Sequence, residues 1–236
     1  MARVAYWLFI ICFPLVLITS TVRLQVNCTH IYEYGFDKYG VSEVTGIDES
    51  QLSQVAARLI DYFNSRVETP QIRVVKGGGE FELFHDYELI HLEDVKRLLR
   101  FDYLVQGIVL AYVVIYALLF LLWKKGRWQD LAGGITRGCI LTLGLIAVLG
   151  IASIFSFQWI FIQFHRISFN NSYWMLDPNR DYLIMLFPPG FWQDIALVGA
   201  GAIVAGVLLL GGIAWAVPVI HQRRSGEAKF TGEKDS

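Results

Sequence analysis

FQWIFIQFHRISFNNSYWMLDPNRDYLIMLFPPGFW, residues 157–192, is the stretch on which the reading of this chain turns. It leaves one long apolar run, crosses a polar, proline-bearing middle and approaches a second apolar run. It is dense in aromatic rings, and it carries His165 where a hydrocarbon segment meets water. An ionisable imidazole at that border, among rings, suits a substrate that is half lipid and half polar.

Working outward, 55% of the 236 residues are hydrophobic and only 17% are charged. The mean hydropathy is +0.46. A soluble domain is about half apolar and a quarter charged. Here the excess is clustered into runs of the length a membrane span requires, roughly 20 residues at ~1.5 Å rise each. The chain therefore divides into a first span (1–22), an outer cap (23–103), a second span (104–123), a short loop (124–139), a third span (140–162), an aromatic loop (163–194), a fourth span (195–220) and a tail (221–236). The expected fold is an all-α membrane protein of four transmembrane helices with a small α+β extracytoplasmic cap. The first run is long for a signal peptide, and no A-x-A-like cleavage site precedes Arg23, so it is read as a retained span.

Lys and Arg near the span ends set the orientation. Arg3, then Lys124, Lys125, Arg127 and Arg137, then Arg223 and Arg224 share one side, read as cytoplasmic together with both termini. The cap and the aromatic loop share the outer face, in a multi-pass protein of the cell membrane. A net charge of −1 leaves no electrostatic footprint for nucleic acid. Cys12, Cys28 and Cys139 are too scattered for a disulfide framework.

Within the cap, residues 23–46 mix aromatics with glycine and read as a loop. Leu52, Val55, Ala56, Leu59, Ile60 and Phe63 recur at three- and four-residue steps, so 48–66 is an amphipathic helix. Residues 71–76 and 81–84 flank Gly77-Gly78-Gly79 and read as two short strands and a turn. No strand–GxxxxGK[ST]–helix frame surrounds that triplet, which argues against a phosphate cradle. From Asp86 the sequence DYELIHLEDVKRLLR is helical, with Asp86 as its N-cap. A straight helix would hold His91 ~18 Å above the second span; a break or tilt near 100–102 would bring it down to the membrane border. Asp181 is placed to cap a short helix that Pro188-Pro189-Gly190 ends. Small residues along the fourth span favour close helix packing. The tail from 226 is polar and reads as unstructured.

The chemistry is narrowed by elimination. There is no GxSxG elbow and no HExxH pair, and His85 and His91, six apart, face different ways on a helix, so no metal site or cofactor is expected. Imidazole acid–base work without a protein nucleophile remains. It suits a substrate that brings its own nucleophile. One neutral histidine accepts a proton from the attacking group, and a second, if protonated, donates to the oxyanion or leaving oxygen. A lone histidine is more often structural. Asp94 and Asp181 are candidates to fix an imidazole tautomer, with capping or solvation as the plainer reading.

Two blocks carry a resemblance. FHDYELIHLEDVK, residues 84–96, and FHRISFNNSYWMLDPNRDYLIMLFPPGFW, residues 164–192, resemble the bacterial integral-membrane family of the lipoprotein intramolecular transacylase Lit. The resemblance covers nearly the whole chain except the tail. It implies transfer of the sn-2 acyl chain of a diacylglyceryl-modified lipoprotein to the α-amine of its own N-terminal cysteine, giving a lyso-form lipoprotein. It also implies catalysis by two histidines. His-x-x-Asp-Val matches His91, Asp94 and Val95, and Phe-His matches Phe164 and His165, so the catalytic role is carried to His91 and His165. Asp94, Asp181 and the neighbouring His85 are supporting candidates. Trp159, Phe164, Phe169, Tyr173, Trp174 and Trp192 are the rings available to fold the substrate, though for any single ring interfacial anchoring is the simpler account. The expected partners are diacylglyceryl lipoproteins and membrane lipid. The alternatives are a non-catalytic lipid- or lipoprotein-binding membrane protein, a transporter, disfavoured by nearly uncharged spans, and an acyltransferase acting between two molecules.

Overall fold

The computed structural model describes residues 2–122 and 128–232. Lys124, Lys125 and Arg127, which carry much of the orientation reading, lie outside the described residues, as does the end of the tail. The elements in order are α1 (Ala2–Val26), α2 (Thr29–Lys38), α3 (Val41–Thr45), α4 (Glu49–Asn64), β1 (Arg73–Lys76), β2 (Gly79–Glu82), α5 (Asp86–Leu122), α6 (Trp128–Ser168), α7 (Tyr182–Leu186) and α8 (Pro189–Gly232). Among the described residues, four helices are long and apolar enough to cross a membrane: α1, α5, α6 and α8. Their exposed side chains include Trp7, Leu118, Phe155 and Leu208, which is the surface a hydrocarbon solvent calls for. The protein is a multi-pass membrane protein.

The helices outrun their apolar segments. α5 is one unbroken helix of 37 residues, so of the break or tilt considered near 100–102 the break does not occur. No glycine or proline interrupts it before Gly107, and helix propagation is cheap once nucleated. Its first part carries Asp86, Glu88, Glu93, Asp94, Lys96, Arg97, Arg100 and Asp102. Charges at that density belong outside hydrocarbon, so the spanning part is 104–122 and His91 lies outside it. α6 starts at Trp128, so residues 128–139, expected as loop, are helical. It breaks instead at Ser156 (φ −164°, ψ 80°). Ser156 Oγ accepts the amide of Trp159 at 3.3 Å, as a serine does at a helix start. His165 follows on this second segment, beyond the apolar run 140–162. The tail, expected to be unstructured from 226, continues α8 to Gly232.

The chain forms two compact units. The first comprises residues 1–20, 105–149 and 200–236. Its core is Phe9, Phe13, Leu131, Cys139, Ile203 and Val207. Phe9 stacks on Tyr116 at 4.7 Å. A Cβ on Gly138 would stand 2.6 Å from the Phe13 ring, so hydrogen is the only side chain tolerated there. The small residues of α8 contribute less than their spacing suggests: Gly206 meets Leu17, while Gly201 and Gly212 face open space.

The second unit comprises residues 21–104 and 150–199. Segment 23–46, read as a loop, is the end of α1 followed by α2 and α3. Tyr32, Gly35 and Phe36 form a buried stripe at helical spacing that their aromatic and glycine character disguises. Gly35 is required because a Cβ would lie 2.4 Å from Phe191. α4 buries Leu52, Val55, Ala56, Leu59, Tyr62 and Phe63 against Ile72, Val74 and Leu83 of the hairpin region and Leu186 of α7. Each such aliphatic side chain contributes about 1.5–3 kcal/mol. β1 and β2 pair antiparallel, with Val74 opposite Phe81. Their two-residue turn is Gly77-Gly78 at φ +61° and +83°, the left-handed pair a type I′ hairpin needs.

Candidate active site

All the chemistry-bearing residues named from the sequence lie in the second unit, and they separate into two clusters. α5 presents His91 inward, 7% exposed. The second segment of α6 presents His165, 8% exposed. Their ring centroids are 5.9 Å apart. Rings surround them: Phe161 lies 4.2 Å from His165, Trp174 5.1 Å, Phe164 5.5 Å and Phe169 5.5 Å. Phe169 also meets His91 edge-on at 5.0 Å. Phe164 is half exposed, and with Trp159 and Ile167 it forms the outward side of the segment.

The two imidazoles are held differently. His165 Nδ1 is 2.7 Å from the carbonyl oxygen of Phe161, four residues back on the same helix. A carbonyl only accepts, so Nδ1 carries the proton and Nε2 keeps its lone pair. His91 Nδ1 is buried and has no hydrogen-bond partner among the described residues. Burial first, and then the neighbouring His165, lower the pKa of His91 to about 4, with Asp94 opposing both. Burial also lowers His165, against the Phe161 carbonyl, which favours the charged form. Both imidazoles are therefore neutral at pH 7. Asp94 reaches neither ring nitrogen: one oxygen accepts Asn171 Nδ2 at 2.7 Å and the other pairs with Arg97 at 3.1 Å.

The second cluster contains His85, Glu88, Tyr87, Arg180 and Asp181. His85, not Asp86, is the residue preceding α5, and Glu88 at the third helical position takes its amide at 2.8 Å, one half of a capping box. The same Glu88 oxygen receives His85 Nδ1 at 2.7 Å. The other oxygen accepts the Leu183 amide of α7 at 2.7 Å. One fully buried carboxylate thus serves the N-termini of two helices. Asp181, expected to cap α7, makes no capping hydrogen bond to it. It binds the Asp177 amide at 2.7 Å, Arg180 at 3.0 Å and the Tyr87 hydroxyl. Burial alone would raise its pKa, but these three donors outweigh it and hold the carboxyl below its ordinary range. Ligand atoms of His85, Glu88 and Asp181 lie within 4.8 Å of one another. Both carboxylates are already committed to backbone and side-chain donors, so the cluster reads as a fastening of α5 to α7. It does not touch the paired imidazoles.

Of the six rings picked from the sequence, Phe164, Phe169 and Trp174 stand against His165. Trp192 packs on Phe187 and Phe191 instead. Trp159 and Tyr173 are exposed. Phe161, Asn171 and Glu88 were not singled out. A backbone carbonyl leaves no mark in a sequence, and a glutamate inside a charged helix resembles a solvated one. A cleft of about 650 Å³ lies elsewhere in the unit, between the end of α4 and residues 65–72.

A helical multi-pass membrane protein with two neutral imidazoles in an aromatic shell is the class that fold and site define. The family model described as lipoprotein intramolecular transacylase Lit matches residues 7–192. The chain belongs to this family, and it is an enzyme of the acyltransferase type. Among solved structures, that of the membrane integral lipoprotein intramolecular transacylase Lit from Bacillus cereus superposes with a TM-score of 0.79 at 21% identity, covering 94% of this chain and 97% of that one. Structures of the same protein with a histidine-to-arginine and a histidine-to-alanine mutation give 0.76 and 0.75, at 20% and 19% identity. Each again covers 94% of this chain, and 94% and 95% of its own. No curated protein matches the chain.

Proposed function

We propose that this enzyme moves the sn-2 acyl chain of a diacylglyceryl-modified lipoprotein to the α-amine of the same N-terminal cysteine, leaving a lyso-form lipoprotein. The observation that carries the reading is the pair itself: two buried imidazoles 5.9 Å apart, one with a fixed tautomer and the other with an orphaned nitrogen. A buried polar atom without a partner is costly to keep, and a substrate group can supply the missing partner.

The substrate's own amine is the nucleophile. His165 Nε2 accepts its proton as nitrogen attacks the ester carbonyl. Neutral His91 donates a hydrogen bond to the oxyanion, as an uncharged imidazole can. The C–O bond to glycerol then breaks, and the proton returns from His165 to the departing glyceryl oxygen. One C–N bond forms, one C–O bond breaks, and one proton passes from nitrogen to oxygen, so the product has the mass of the substrate. The attack closes a medium ring through sulfur and glycerol. Orienting that ring inside a stiff aromatic shell can supply much of the rate. Phe164 and Trp159, on the exposed side of α6, suit acyl chains arriving from lipid. The site is assigned to the outer face of a bacterial cytoplasmic membrane, with both termini inside, on the distribution of Lys and Arg.

The test is a crossover experiment. Two lipopeptides of different sequence are mixed, one with a deuterated sn-2 chain, and the N-terminal fragment spectra are read. The reading predicts N-acyl cysteine with the label confined to its parent peptide. Label on the other peptide would make the enzyme an intermolecular acyltransferase, and no N-acyl cysteine at all would leave only a binding protein.

A further inference from the structure

Residues 169–176 carry two walls of the imidazole shell, Phe169 and Trp174, yet the backbone bonds this segment makes are local: Phe169 to His165, Met175 to Ser172, Leu176 to Trp174. Among the described residues, what ties it to α5 by a hydrogen bond is Asn171 Nδ2 donating to Asp94 Oδ2, at 2.7 Å. The amide cannot turn over, because its oxygen accepts the Tyr173 amide at 3.1 Å. Asp94 is itself held: its side chain is 13% exposed and its second oxygen pairs with Arg97. It stands three residues beyond His91, so its bond to Asn171 fixes the segment relative to the helix that bears that imidazole.

We propose that Asn171 is a positioning residue, clamped by Asp94 so that the 169–176 segment sets Phe169 and Trp174 against the two imidazoles. The rival role for Asp94 is electrostatic, since its charge opposes the lowering of His91. Donor and acceptor are exchangeable across the clamp, and that separates the roles. In Asn171→Asp two carboxylates face each other. In the swap Asp94→Asn with Asn171→Asp, the new asparagine donates to the new aspartate, which still accepts the Tyr173 amide.

The inference rests on the transacylase reading for its rate assay but not for its structural one. With the lipopeptide at saturation, Asn171→Asp is expected to slow conversion about 100-fold and the swap to recover it to within about threefold of the parent. Asp94→Asn alone, which keeps an acceptor oxygen for Asn171, should lose less than Asn171→Asp. If Asn171→Asp does not fold, Asn171→Ala takes its place, with a loss of about tenfold. A swap as slow as Asn171→Asp, or Asp94→Asn as slow as Asn171→Asp, overturns the clamp in favour of electrostatics. The ring ¹³Cε1 signal of His165 is recorded for each variant. It should move in Asn171→Asp and return in the swap. If the parent enzyme leaves the lipopeptide unchanged, the transacylase reading fails, and this signal alone decides the clamp: a shift that the swap does not reverse, or no shift, refutes it.

Discussion

α5 presents two histidines in opposite circumstances. His85, at its start, is half exposed and held by the carboxylate of Glu88, with Asp181 3.9 Å away. His91, two turns on, is buried, faces another imidazole, and has a ring nitrogen with no partner. The first resembles a catalytic arrangement, with acids around a histidine, yet each carboxylate is used up on backbone amides and neighbouring side chains. The second has no acid on its ring and looks merely packed. The difference teaches that satisfied polar groups hold a fold together, while an orphaned nitrogen facing a second imidazole is what supports the catalytic proposal for His91.

The sharpest way to break this contrast is to remove each histidine in turn. His91→Ala and His165→Ala are each expected to slow transfer about 1,000-fold, within the range general acid–base groups supply, with thermal unfolding in detergent little changed. Near-parental rates in both would end the catalytic assignment. The other cluster should answer in stability. Glu88→Ala strands the amides of His85 and Leu183, and a loss of about 2–4 kcal/mol is expected by denaturant unfolding, while the enzyme that remains folded transfers at close to the parental rate.

These expectations rest on groups of unequal visibility in the sequence. The four spans, the α4 stripe and the Gly77-Gly78 turn were legible because burial imposes a period and a turn imposes glycine. His91 and His165 were legible as candidates, but their meeting was not, since α5 and α6 bring them together from 74 positions apart (165 − 91). The continuity of α5 and the break at Ser156 were not legible for one reason: both depend on where tertiary packing lets a helix run on. Asn171 is one polar residue among several in its loop, and its amide acquires a role only once Asp94 stands opposite.

Smaller effects refine the contrast. Phe169→Leu, at a ring that touches both imidazoles, should slow transfer about tenfold through loosened orientation, read as a lower saturated rate with little change in half-saturation. His85→Ala should cost about 1 kcal/mol of stability, discounted for its exposure, and leave the rate within about threefold. Acid should act through His91. Its folded pKa of about 4 lies below the unfolded value near 6.5, so the unfolded chain binds the extra proton first. Stability that His91 contributes is present above pH 6.5 and declines as pH falls from there toward 4, which a pH series of unfolding midpoints would show.

The most direct test is ¹⁵N NMR of the ring nitrogens of His91 and His165 in detergent-solubilised enzyme, titrated from pH 8 to 4. The account predicts a protonated Nδ1 and a bare Nε2 on His165 at pH 7, and a His91 that stays neutral well below pH 6. A doubly protonated ring on either histidine at neutral pH, or a His165 whose proton sits on Nε2, would contradict it.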